Sequence, residues 1–167
     1  LRLLACHKAL LDEGVRQQLW FVGDGHERKN MEAYIRAHHL EDSVRLWGYQ
    51  TNPYKYVSKC DLFVCASFAE GFSTAATEAL IVGTPVCTVE VSGMKEMLGE
   101  NNEWGLVTKN GEEALYRGIK SLLDNPGLLD HYKGKAMERG KMFSTENTVK
   151  EAEEMLLSLI KKHEDTL

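Results

Sequence analysis

The sequence contains no apolar run near the about 18 residues a membrane-spanning helix needs, so nothing in it reads as crossing a bilayer. It also lacks basic excess: 20 Lys and Arg face 25 Asp and Glu, a formal charge of −5. Binding a nucleic-acid backbone releases counterions to a cationic surface, and no such surplus exists here. No nucleic-acid partner is expected. Cysteine is sparse. Cys6, Cys60, Cys65 and Cys87 form no C-x-x-C pair. Cys65 and Cys87 lie in apolar runs, which suits reduced, core-packed thiols and a cytoplasmic setting. The six histidines show no H-E-x-x-H or similar ligand spacing, so no metal site is expected. Only three prolines occur, and there are no repeats or low-complexity tracts. What remains is ordinary globular composition, 43% hydrophobic and 27% charged over 167 residues. That is enough for one domain with a core that needs no staples. The first residue is Leu1, inside a helical pattern and with no signal peptide ahead of it, so a fragment of a longer protein is expected.

The chain is organised around Asp61 to Val89, DLFVCASFAEGFSTAATEALIVGTPVCTV. Asp61–Ser67 reads as a strand buried on both faces. Ser73 or Thr74 can cap a following helix, Gly83 can end it, and Pro85 prevents its continuation. Thr84–Val89 reads as a second buried strand. A strand–helix–strand unit with short connections makes its strands parallel. Ligands of open parallel sheets sit beyond the carboxyl ends of the strands, which is where Phe68–Phe72 falls. Glu70 lies in that loop. Glu78 lies on the helix, with Thr74, Ala75, Ile81 and Val82 as its turn neighbours. A carboxylate on that mostly apolar stripe is costly unless something hydrogen-bonds or neutralises it. A capping box does not explain it, because Glu78 lies four or five residues after the cap instead of three. Helical side chains lean toward the N-terminus, so Glu78 can reach back to the turn. Two carboxylates beside the positive mouth of a helix suit a ligand with hydroxyls and a diphosphate, a nucleotide-activated sugar. A solvated Glu70 with Glu78 paired to a Lys or Arg is equally compatible. The residues alone leave both readings open.

Around this centre, strands and helices alternate. Leu1–Leu11 reads as a helix, Gln17–Val22 as a strand, and His26–His38 as a helix. Ser43–Tyr49 is a strand, and Asn52 is expected to cap a short helix with Pro53 at its first position. The turn at 90–93 opens a short helix to Leu98, and Trp104–Thr108 is the last strand. Helices follow over Asn110–Asp124, from Asn125-Pro126 to Arg139, and from Ser144 to Lys162. Gly23-Asp24-Gly25 is a tight turn that could admit a ligand to the backbone. It is not a dinucleotide fingerprint, because Arg28 replaces the third glycine. The expected fold is a doubly wound parallel α/β sheet of five or six strands with helices on both faces.

Several stretches, in order, resemble family 4 retaining glycosyltransferases. Glu70-Gly71-Phe72 … Glu78-Ala79-Leu80 … Gly83-Thr84-Pro85-Val86 is similar to their E-x7-E region. Gly23-Asp24-Gly25, Val44–Tyr49, Asn52-Pro53-Tyr54, Ala66-Ser67, Ser92–Glu96 and Gly105-Leu106-Val107 resemble flanking motifs of the same family. The resemblance implies one half of a GT-B fold. Residues 1–143 would be the nucleotide-sugar-binding Rossmann-like domain, missing its first strand. Residues 144–167 would be a terminal helix packing toward an absent N-terminal domain.

The resemblance further implies hexosyl transfer, with retention, from a nucleotide-diphospho-sugar of UDP or GDP type to a saccharide or lipid-linked acceptor. Bacterial surface polysaccharide synthesis is the expected setting, with peripheral contact at the inner membrane in the longer protein. No cofactor is implied. Glu70 would bind donor sugar hydroxyls as the catalytic carboxylate, and Glu78 the ribose hydroxyls. Gly71, Phe72, Ser73 and Thr74 would receive the diphosphate, Gly23 and Gly25 would line the first glycine loop, and Tyr49, Gln50 and Thr51 would border the base. The family's paired Arg and Lys for the diphosphate do not match Arg2 or Lys8, so the chain alone is expected to be inactive. A GT-B epimerase or phosphorylase, or a non-catalytic nucleotide-binding or interaction module, remains open at this point.

Overall fold

The computed structural model describes residues 1–69 and 71–164; Glu70 therefore lies outside the described residues. The elements alternate almost strictly: α1 (Arg2–Asp12), β1 (Leu19–Phe21), α2 (Arg28–Ala37), β2 (Val44–Leu46), α3 (Tyr54–Val57), β3 (Phe63–Cys65), α4 (Thr74–Ile81), β4 (Val86–Val89), α5 (Met94–Leu98) and β5 (Leu106–Thr108). Three helices close the chain: α6 (Glu112–Leu123), α7 (Pro126–Met142) and α8 (Thr145–Glu164). Each pairing between strands is parallel, as alternation with crossover helices requires. The expected Rossmann-like α/β architecture is therefore present.

The sheet itself differs from expectation. Its hydrogen bonds form two pieces, β1-β2 and β3-β4-β5, where one sheet of five or six strands was expected. β1 and β3 are not neighbours; a cavity of about 1150 Å³ lies between them. For the same reason β3 is not buried on both faces: Phe63 and Val64 are only half-buried and line that cavity.

β4 carries the core. Its four residues are all at most 1% exposed. Cys87 and Val89 pack with Cys6 and Leu10 of α1 and with Leu115, Ile119 and Leu122 of α6. Val86 turns to the opposite face, against Ala76, Ala79 and Leu80 of α4, Met97 and Leu98 of α5, and Ala136 of α7. Period-two alternation thus feeds two helical layers from one strand. A smaller cluster, Leu4, Ile35, Leu40 and Val44, holds α1 and α2 to β2. Each fully buried leucine contributes about 1.5–3 kcal/mol relative to exposure.

Local signals set the helix ends. Ser73 caps α4, accepting from the Ala76 amide at 3.4 Å. At the other end Gly83 takes φ +77°, its amide donates to Leu80 O, and Thr84 N donates to Ala79 O. That pair of bonds is a Schellman stop, and a residue in this left-handed conformation is best a glycine. Asn125 Oδ1 caps α7 by accepting from Leu128 N at 3.1 Å. The expected Asn52 cap does not form. Pro53 itself occupies the position before α3, with no side-chain cap. Pro53 already sits in the α region with φ −66°, so the short helix starts without one.

Candidate functional site

The loops after β1, β2, β3 and β4 gather at the carboxyl edge of the strands, as expected for parallel sheets. The loop after β3 leads into α4. The first intrahelical bond of α4 runs from Thr77 N to Ser73 O, and Ala76 N is capped by Ser73. The amides of Thr74 and Ala75 are left without a partner within the helix, so the positive end of α4 points out of the fold. Ser73 is buried, and its hydroxyl acceptor is committed to the cap, leaving its proton free to donate. Thr74 is exposed.

Gly93 fixes the floor under this turn. It has φ +77°, and a Cβ there would lie 2.5 Å from the Gly71 carbonyl oxygen. The loop after β3 therefore rests directly on the turn after β4. Behind that turn, Lys95 Nζ pairs with Glu90 Oε1 at 2.6 Å, which raises the lysine pKa above its ordinary value.

Glu78 is half-buried on α4 and faces the upper end of the large cavity with Gly23, Tyr49 and Gln50. Its Oε1 accepts from the Tyr54 hydroxyl at 3.4 Å, a long bond. Among the described residues no Lys or Arg pairs with it. Tyr54, named from sequence only within a flanking motif, bonds the carboxylate; its position 24 residues away left no local signal.

The structure separates the other candidates. Tyr49 is 77% exposed beside the mouth, so its ring is open to stacking. Gln50 is different: its Oε1 accepts from Tyr56 at 2.9 Å and its Nε2 donates to Trp47 O at 2.9 Å. Each end of that amide already holds one partner, which fixes its orientation and leaves one N–H and one lone pair over. Trp47 also packs against Trp20 and Tyr56, with ring centroids 5.6 and 4.9 Å away, which stiffens the loop. Thr51 is exposed and does not line the cavity. Gly25 lines a separate hollow of about 280 Å³ with Asp24 and Arg28. The Phe72 ring leans edge-on to Phe143, with centroids 6.1 Å apart, away from the cavity; only its backbone adjoins the turn.

One cation reaches this edge unannounced by sequence. Arg2 donates to Ala66 O at 3.2 Å and to Asn110 Oδ1 at 2.8 Å, with its guanidinium 4.7 Å from the Phe68 ring centre. Among the described residues, no group of three or more His, Cys, Asp or Glu side chains converges as a metal site. Among them, too, no helix is long and apolar enough to cross a membrane.

The sequence profile described as "Glycosyl transferases group 1" matches residues 2–139. The chain belongs to that glycosyltransferase family. It is 36% identical over 141 residues to the Campylobacter jejuni N-acetylgalactosamine-N,N'-diacetylbacillosaminyl-diphospho-undecaprenol 4-alpha-N-acetylgalactosaminyltransferase, covering 84% of this chain and 39% of that relative. It is 28% identical over 134 residues to the lipopolysaccharide core biosynthesis glycosyltransferase LpsD of Rhizobium meliloti, covering 80% of this chain and 39% of the relative. The group 1 chain described here thus spans about two fifths of those relatives (39% in each case). Among solved structures, Anabaena HepE in complex with UDP superposes with a TM-score of 0.81 at 21% identity, over 94% of this chain and 44% of that one. At that identity the match establishes the shared GT-B fold.

Proposed function

We propose that this chain is the donor-binding half of a retaining glycosyltransferase that takes a nucleoside-diphosphate sugar of UDP or GDP type. One observation carries the reading: Glu78 turns into the cavity mouth, paired with no cation among the described residues, beside the open end of α4. A half-buried carboxylate held by one weak tyrosine bond keeps acceptor capacity for ribose hydroxyls. The amides of Thr74 and Ala75, with the helix dipole of about half a charge, sit where a diphosphate can be received. During transfer the bond from the anomeric carbon to the diphosphate breaks and negative charge collects on the leaving group. Fixed amides that stabilise this charge more than the ground state accelerate the step. Tyr49 supplies a face for the base, and Glu70 keeps its assignment to the donor sugar.

The acceptor would be a saccharide or a lipid-linked saccharide. The relatives support this: one is named for transfer to a saccharide linked to diphospho-undecaprenol and the other for lipopolysaccharide core biosynthesis. The acceptor would be held by a second domain. In α8, Val149, Met155, Leu156 and Leu157 are 53–60% exposed, which fits a helix that packs on such a domain.

The test is calorimetric titration of UDP, GDP and ADP, with and without sugars, against the wild type and Glu78→Gln. One uracil or guanine nucleotide should bind, and Glu78→Gln should weaken it about tenfold or more, the effect of losing charged hydrogen bonds of about 1.5–3 kcal/mol. Absence of binding by every nucleotide, or unchanged affinity in the variant, would overturn the assignment.

A further inference from the structure

The turn that opens α4 is held from two sides. Beneath it, Gly93 leaves room for the Gly71 carbonyl oxygen and for Phe72 Cα, which would lie 2.5 and 3.5 Å from a Cβ at that position. At its flank, the Phe72 ring stands edge-on to Phe143, the residue that ends α7, with centroids 6.1 Å apart. Edge-to-face is favourable for such a pair, because a positive ring edge meets a negative face. Yet Phe72 remains 49% exposed. Its ring adds little to the core; what it fixes is the backbone that carries it.

Phe143 is itself backed by a column. The Arg139 guanidinium lies 4.9 Å from the centre of the Phe143 ring and 4.4 Å from that of Trp104, a cation attracted to two rings. The same guanidinium donates to Met97 O at 2.9 Å and to Glu96 O at 3.1 Å. Those carbonyls belong to the last turn of α5, where the helix supplies no donors of its own. Trp104 is tied to that helix end as well, its amide donating to Leu98 O at 2.9 Å. Gly93 is the N-cap of α5. The contacts therefore close a ring: Gly71 and Phe72 rest on Gly93, Gly93 leads through α5 to Arg139, and Arg139 leads through Phe143 back to Phe72. Phe143, Arg139 and Trp104 do not line the large cavity.

We propose that Phe143 and Arg139 are positioning residues for the turn that receives the donor's diphosphate. They touch no part of the donor. They act through the Phe72 ring, holding in place the backbone that leads to the open amides of Thr74 and Ala75. Amides aimed at a developing charge are effective only when fixed beforehand, and a small misplacement weakens them steeply. This role rests on the donor site proposed above and deepens it: the diphosphate end of that site is set by two residues outside it.

The test is calorimetric titration of the full-length protein with UDP or GDP, whichever binds, and with the matching nucleoside, uridine or guanosine, read by displacement. Phe143→Leu should weaken the diphosphate about fivefold, the worth of an aromatic pair, and leave the nucleoside within about twofold. Phe143→Tyr keeps the ring and should restore the wild-type ratio of the two affinities. Phe72→Leu breaks the same contact from its exposed end, where folding does not depend on it, and should match Phe143→Leu. Arg139→Lys keeps the charge but loses the flat stacking face, and should shift the ratio in the same direction; an unchanged ratio there would remove Arg139 from the assignment. A purely structural role would lower the melting temperature of Phe143→Leu with the ratio unchanged. That result, in either Leu variant, would overturn the proposal, as would failure of Phe143→Tyr to restore the ratio. A wild type that binds no nucleotide would bring down the donor reading and this role with it; wild-type binding with an unchanged ratio in the variants would bring down this role alone.

Discussion

His7 is 3% exposed, yet it makes hydrogen bonds on both ring nitrogens. Gln17 Nε2 faces Nδ1, so the proton is assigned to Nε2, which donates to Ser43 Oγ at 2.9 Å. Ser43 passes its own proton to Leu40 O at 3.3 Å. The neutral ring fits this relay, and burial lowers its pKa from 6.5. Because the folded pKa is depressed, the unfolded chain takes up the proton first as pH falls. The stability from this source is complete above about 6.5 and is lost below it, toward the folded value. Thermal melts from about pH 7.5 to 5.5 should therefore show a decline that is shallower in His7→Gln. An identical slope in the variant would contradict this. The thiols behave consistently with burial: Cys6 is pushed up to about 11 and Cys87 to about 12, each first by desolvation. Neither serves as a nucleophile near neutral pH.

Among the elements, the α4–α7 contact is where packing is least forgiving. A Cβ on Gly140 would fall on the Leu80 carbonyl and close to Ile81 Cα, both backbone atoms that cannot rotate aside. Gly140→Ala must push α7 off α4 and should cost about 1–3 kcal/mol, the usual range for overpacking. Gly134 lies on the same helix with open space around it. There the same change should stabilise by about 0.4–1 kcal/mol through the unfolded chain. Chemical denaturation of the two variants distinguishes them, and equal effects would refute the close approach. Arg139 ties α7 instead to α5 and the segment before β5: it stacks 4.4 Å from the centre of Trp104 and 4.9 Å from that of Phe143, and donates to Met97 O at 2.9 Å. Sequence marked the ends of α4 and α7, where Ser73, Gly83 and Asn125 act within a turn of themselves. It did not mark Gly140, whose need for a bare backbone comes from a strand-distant helix. Asn52 misled because its usual capping role yielded to a proline already in helical conformation.

At the scale of the whole molecule, the chain holds the rim proposed to receive a donor and an open slot between β1 and β3. The purified 167-residue chain should bind nucleotide weakly and transfer no sugar. A turnover in the ordinary enzymatic range of about 1–10³ per second by this chain alone, with donor and acceptor saccharide supplied, would disprove that. The alternation of strands and helices, their parallel pairing and the place of the ligand edge were set by the sequence itself, because periodicity, caps and glycine stops act over a few residues. Its motifs also pointed to Glu78. The tertiary structure alone decided that Tyr54 bonds that carboxylate, that Arg2 reaches the rim, and that the sheet stands in two parts. Those facts depend on groups 24 to 108 residues apart in the case of Tyr54–Glu78 and Arg2–Asn110. Contacts that distant leave no periodic trace in the chain and exist only once the core has closed.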